Sequence, residues 1–310
     1  CSSAAEHGMN EKVLSQIPEN LKAIVDRGQS SGMVTLVARN GEIASIDAVG
    51  WRVMDKEPLE TTDVFWAASI TKPFVAVAIM MLVDEGKLKL DDLAENHIPE
   101  FKGQKVKIGK RRAETAKHPL TIRNLLNHLD GLPKNPTRSR AAKTIKRRVL
   151  TTAKDPLMWE PGTKFMYGGE GLYVAAYIVE KYSGMPYTQF LKTRILDPLG
   201  MENTYFTIKD VPRNRTVPRH SKPRKGKWKA TEMRDFTWST GGSYFAVDGG
   251  FFSTVEDLFP WYQMLLNGGE YGGVRYLSEK SVRELTRKQT GEVKPAGHGA
   301  GNYYALGFLA

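Results

Sequence analysis

The chain has 310 residues, 41% hydrophobic and 25% charged, the make-up of an ordinary globular protein large enough for one sizeable domain or two lobes. Its longest apolar run, Pro73 to Val83, is too short to span a bilayer, and the start lacks the basic-then-apolar pattern of a signal peptide. Cys1 is the sole cysteine, which excludes an intrachain disulfide and a cysteine-built metal site. The net charge of +11 is gathered in three polar segments, 102–117, 138–148 and 211–230, which hold seven, six and eight Lys/Arg against one acid, Glu114. None of the three interleaves aromatics for base stacking, with only a lone Trp228, so nucleic acid is not an expected partner. They read as solvated insertions, with contact to an anionic envelope polymer or membrane surface as the functional alternative.

Residues 10–28 place Val13, Ile17, Leu21, Ile24 and Val25 at helical spacing, which predicts a helix packed on a sheet. Two β-rich runs follow, 33–40 and 42–53, joined by Asn40-Gly41, a pair that favours a tight hairpin. Residues 66–88 then read WAASITKPFVAVAIMMLVDEGKL. Phe74 to Val83 is apolar on every side, so this helix belongs in the middle of the molecule. Pro73 suits its first turn and Gly86 its end. Residues 91–150 mix short helices and loops, among them a helix from Thr121 to His128 and a basic one over 139–153. His128 reads as a structural histidine whose ring nitrogens hold the following turn, in preference to a catalytic base.

The stretch 159–184 turns at Pro161-Gly162 and passes Tyr167 in a glycine-rich bend. It then enters a helix from about Glu170 to Tyr182, closed by Gly184. A further helix is predicted over about 187–196, and 202–246 is largely irregular. Ser253 and Glu256 stand in capping-box spacing, which predicts a helix from near Thr254 to Gly268. Ser278 opens another, through about Lys288, and NYYALGFLA (302–310) reads as a strand. This order predicts an α/β (α+β) fold: an antiparallel sheet built from both chain ends, flanked by helices, with a mostly helical lobe inserted. The expected organisation is a tether over 1–9 and a single domain over 10–310. Its sheet lobe would take about 10–65 and 247–310, and its helical lobe about 66–246.

Ser69 and Lys72 lie three residues apart, a spacing that puts both side chains on one side of a helix. A partly desolvated lysine loses its proton more readily, and a serine hydroxyl that meets such an amine is an activated nucleophile. A Ser-x-x-Lys pair occurs by chance about once in a chain of this length, so its setting carries the weight.

That setting resembles the serine β-lactamase and penicillin-binding-protein superfamily, in the branch of class C β-lactamases, D-alanyl-D-alanine carboxypeptidases and related esterases. The resemblance runs through ARNGEIASIDAVGW, the Ser69 stretch with DEGKLKLDD behind it, LTIRNLLNHLDGLP and WEPGTKFMYGG, and continues through ILDPLGMENTYF, GGFFSTVEDL and MLLNGGEYGGVRYLS. It implies that Ser69 attacks an acyl carbonyl, with Lys72 accepting its proton. Tyr167, matching the tyrosine of the family's Tyr-x-Asn element, would assist Ser69 and later the hydrolytic water; a phenol needs a nearby cation to ionise at neutral pH. The Ser69 backbone N–H would be one oxyanion donor. No metal or organic cofactor is implied.

Two departures bear on substrate. Gly169 stands where the family has the asparagine that holds acyl-amide side chains, which shifts the expectation from β-lactams and cell-wall peptides towards esters. The family's Lys/His-Thr/Ser-Gly or Trp-Gly-Gly element, expected beyond YALGF (304–308), is not found, and His298-Gly299-Ala300 is a poor substitute. That element supplies a second oxyanion donor, worth roughly 3–4 kcal/mol of barrier, so the chain as sequenced is expected to be truncated and poorly active. Cys1 followed by small polar residues resembles the mature end of a bacterial lipoprotein, implying lipid attachment there and a periplasmic or extracellular location. The resulting expectation is a serine hydrolase acting on an ester or amide through an acyl-enzyme. The alternatives are an acylated sensor or binding protein for cell-wall fragments and β-lactams, or an adhesin working through the basic loops.

Overall fold

The computed structural model describes residues 8–134, 141–222, 228–234, 243–295 and 303–309. In chain order the main elements are helix α1 (Gln16–Asp26), strands β1 (Gly32–Arg39), β2 (Glu42–Val53), β3 (Glu57–Pro58) and β4 (Phe65–Trp66), and helix α2 (Lys72–Asp84). Helices α3 (Ile122–Leu126), α4 (Ile145–Thr152), α5 (Glu170–Ser183) and α6 (Tyr187–Leu191) follow. Strand β5 (Phe252–Ser253), helix α7 (Val255–Leu266) and helix α8 (Glu279–Thr286) complete the set. Antiparallel sheets with helices make this the mixed α/β architecture expected.

The chain divides into two compact units, one from residues of 1–67, 199–235 and 251–263, the other from residues of 68–198, 236–250 and 264–310. The described residues from 264 onward, expected beside the N-terminal strands, fall in the second unit.

In the first unit β1, β2 and β3 form an antiparallel sheet in that order, and α1 packs on β2. Asn40 and Gly41 take φ of 54° and 83°, the two positive values that a two-residue hairpin turn of matching twist requires. β4 pairs with β5, antiparallel. Thr254 Oγ1 accepts from Asp257 N at 3.1 Å, so the cap of α7 lies one residue beyond the expected Ser253–Glu256 box. Ser253 is instead engaged through its hydroxyl by Thr204 Oγ1 at 2.8 Å, which removes it from capping.

In the second unit α2 is buried continuously from Lys72 to Leu82, as its lack of a polar face dictates. It packs on α5 and α8, and α5 also meets α3 and α4. Gly171 permits the approach of α3: a Cβ there would stand 2.5 Å from both Leu125 O and Asp130 Oδ2. The expected strand at 302–310 is not formed in its described part. Gly307 has φ of 80°, which breaks the extended run, and Tyr304 and Leu309 close a turn through a single bridge. The predicted helix over 187–196 is α6 continued by a π-helical turn, Lys192–Leu196.

Asp130 is buried, with Oδ1 accepting from Leu132 N at 2.7 Å, and burial pushes its carboxyl up to about 7. The native state thus keeps a proton that the unfolded chain releases near pH ~4. With more protons on the native side, stability falls as pH rises from about 4 to about 7 and then levels. Asp130→Asn is expected to remove this component. The check is the urea midpoint of wild type minus that of the variant across the window, and a constant difference would count against it.

Candidate active site

Ser69 lies in a 3₁₀ turn, Ala68–Thr71, immediately ahead of α2, and Lys72 is the first residue of the helix. Ala68 sits at φ 48°, a left-handed conformation costly for alanine, and it directs the chain so that Ser69 is exposed while Lys72 is buried. Thr71 Oγ1 donates to Ala68 O at 2.7 Å and tightens the turn. Lys72 Nζ lies 2.9 Å from Ser69 Oγ and donates to Asp248 O at 2.5 Å. With one N–H fixed on a carbonyl, the amine is aimed at the serine hydroxyl.

Tyr167 joins this pair, its ring centroid 4.7 Å from Lys72 Nζ. Lys134 Nζ donates to Tyr167 O and fixes the bend that carries the ring. The ring of Tyr167 packs on His128 at a centroid distance of 4.9 Å. His128, at φ 61°, shares a 3.0 Å hydrogen bond with Tyr304 through Nε2, and its ring also contacts Phe165. The turn after it is held by other side chains, Asn127 Oδ1 accepting from Leu129 N and Asp130 Oδ1 from Leu132 N. Burial raises the Tyr304 phenol, and Tyr167 pushes it the same way. Ser69, Lys72 and Tyr167 are thus brought together, with His128 and Tyr304 behind the tyrosine.

Gly169 is the N-cap of α5, and a second group reaches it. Asp248 places its carboxylate beside Gly169 and accepts a 3.0 Å hydrogen bond from the Tyr173 hydroxyl at Oδ1. Tyr173 is overlaid by the Arg148 guanidinium at 3.4 Å, and Arg148 is bonded twice to Glu170, at 3.0 and 2.6 Å. Burial opposes the charge on Arg148, but Tyr173 and Glu170 outweigh it and hold the guanidinium firmly protonated. Asp248, Tyr173, Arg148 and Tyr304 were not singled out from the sequence. A lone carboxylate between the apolar run YFAV and GGFF was the one available signal. Cys1 and His298-Gly299-Ala300 lie outside the described residues.

This arrangement can move a proton from Ser69 to Lys72 and hold a nucleophilic oxygen at the mouth of a buried helix. Comparison with known proteins identifies relatives in sequence and in fold. A protein of Salmonella agona (strain SL483), provisionally named a D-alanyl-D-alanine carboxypeptidase, is 30% identical over 257 residues, covering 74% of this chain. The chain spans only 57% of that protein's length. The octameric penicillin-binding protein homologue of Pyrococcus abyssi superposes with a TM-score of 0.73 at 23% identity, over 96% of this chain and 64% of that one. D-amino acid amidase from Ochrobactrum anthropi SV3 gives 0.75 at 24% identity, over 96% and 80%. Both structures share the fold. The sequence profile of the Beta-lactamase family matches residues 17–308, nearly the whole chain, which therefore belongs to the β-lactamase family.

Proposed function

We propose that the chain is a serine hydrolase that transfers the acyl group of an ester or amide to Ser69 and then to water, in the manner of an esterase or D-alanyl-D-alanine carboxypeptidase. The observation that carries this reading is the 2.9 Å approach of Lys72 Nζ to Ser69 Oγ, inside the reach a general base needs. Lys72 takes the hydroxyl proton as Oγ bonds to the carbonyl carbon. The tetrahedral adduct then expels the alcohol or amine, which leaves with that proton. Water attacks the acyl-enzyme and returns Ser69 to its starting state. Tyr167, beside the amine, balances the changing charge on Lys72 and orients the water. The name of the Salmonella relative supports a peptide-like acyl donor.

The same reading places the reaction at the cell envelope, with Cys1 as the lipid site and the basic segments facing anionic polymer. No helix among the described residues is long and apolar enough to cross a membrane.

Intact-mass spectrometry after treatment with p-nitrophenyl butyrate tests the proposal. One butyryl increment on the wild-type chain, absent from Ser69→Ala, is the expected result. Equal labelling of both would end it. A stable adduct that never turns over would favour the sensor reading instead.

A further inference from the structure

Gly169 marks a place where a side chain would have to displace the carboxylate of another residue. A Cβ built on Gly169 would stand 2.4 Å from Asp248 Oδ2 and 2.8 Å from its Cγ. Contacts that short do not occur, so the Asp248 carboxylate fills the volume that a side chain at 169 would enter. Its position is fixed. Tyr173 donates to Oδ1 at 3.0 Å, and the backbone carbonyl of the same residue accepts from Lys72 Nζ at 2.5 Å. Among the described residues Tyr173 is the one hydrogen-bond donor to this carboxylate, which leaves Oδ2, the oxygen facing Gly169, for another. The Lys72 amine in turn lies 2.9 Å from Ser69 Oγ. A carboxylate is therefore built into the residue whose main chain positions the catalytic amine.

We propose that Asp248 determines specificity, selecting acyl groups that carry a free ammonium next to the scissile carbonyl: α-aminoacyl esters and amides with an unblocked amine. The inference rests on the serine-hydrolase reading above. An amide side chain at 169 could donate to a carbonyl oxygen on the acyl group. Carboxylate oxygens accept, so they disfavour that oxygen and reward an N–H donor. A charged donor gains most, because charge-assisted hydrogen bonds are roughly twice as strong as neutral ones. N-acylation of the substrate removes the charge and puts a carbonyl oxygen against Oδ2.

The test compares alanine methyl ester with N-acetylalanine methyl ester, in both enantiomers. Hydrolysis is followed by chromatography at about pH 6.5, below the ~7.7–8.0 at which an α-amine loses its charge. For one enantiomer at least, wild type should favour the free amine in kcat/KM by roughly tenfold or more, as expected for a charged hydrogen bond. Asp248→Asn should bring that ratio close to one. Should Asp248→Asn fail to fold, the double variant Gly169→Asn/Asp248→Gly, which moves an amide into the vacated volume, should reverse the preference towards the acetylated ester. A wild-type ratio of one or below, with Ser69-dependent hydrolysis of the acetylated ester, overturns the specificity and leaves the hydrolase reading standing. A ratio that survives Asp248→Asn overturns it too. No Ser69-dependent hydrolysis of either ester sinks both.

Discussion

Lys72→Met should slow acylation of Ser69 by roughly 10²–10⁴-fold, the usual contribution of a positioned general base. Methionine keeps the length and the apolar stem of the side chain, so the site retains its shape while losing the nitrogen that lies 2.9 Å from Ser69 Oγ. The substitution also strips Asp248 O of its 2.5 Å donor inside a buried site, at a cost of about 1–3 kcal/mol in stability. Rate and stability therefore need separate readouts. The second-order rate of fluorophosphonate labelling reports the first, and thermal unfolding the second. Tyr167→Phe, which removes a hydroxyl but keeps the ring beside the amine, is the informative partner variant. A labelling rate for Lys72→Met within about threefold of wild type would take the amine out of the chemistry and pass the role of base to Tyr167.

The second large effect is on stability. Arg148→Met leaves the Glu170 carboxylate buried without its two guanidinium hydrogen bonds, and it removes the cation stacked 3.4 Å from Tyr173. Breaking a buried pair from one side costs about 3–5 kcal/mol, because the remaining charge keeps its desolvation penalty and loses its compensation. Thr152 Oγ1, at 3.4 Å from Glu170 Oε2, is a weak donor beside those two bonds. The double variant Arg148→Met/Glu170→Leu discards both charges and should recover most of the melting temperature. A double variant as unstable as the single one would show that the stack on Tyr173, and not the ion pair, holds this region. Since Tyr173 steadies Asp248 and Asp248 steadies Lys72, the single variant should also acylate more slowly.

What the sequence revealed and what it concealed divide by distance along the chain. The Asn40-Gly41 hairpin and the apolar α2 depend on neighbours a few residues away, and periodicity and turn chemistry report those directly. Ser69 Oγ and Lys72 Nζ lie 2.9 Å apart although the serine is in a 3₁₀ turn and not in the helix, because i and i+3 also share a face in a 3₁₀ turn. The cap of α7 was displaced by one residue because Ser253 is claimed by Thr204, a contact across 49 positions. The run around Tyr304 has the residue pattern of a strand, and Gly307, which bends the chain after it, also occurs in strands. Asp248 was invisible for the strongest reason. Its meaning depends on Gly169, 79 positions earlier, and on the absence of a side chain there.

Gly307 gives the serine turn a mechanical neighbour. A Cβ at this position would approach Pro73 Cα to 3.2 Å, and its N–H donates to Leu126 O at 3.1 Å. The next residue back, Leu306, donates to Leu285 O at 3.2 Å, so this short turn is pinned to the ends of α3 and α8 while it leans on the first turn of α2. Loosening it would take a packing neighbour from the turn of α2 that carries Lys72. The Gly307 amide is thus a natural isotope-exchange gauge of how tightly the turn carrying Ser69 and Lys72 is held, readable without substituting either residue.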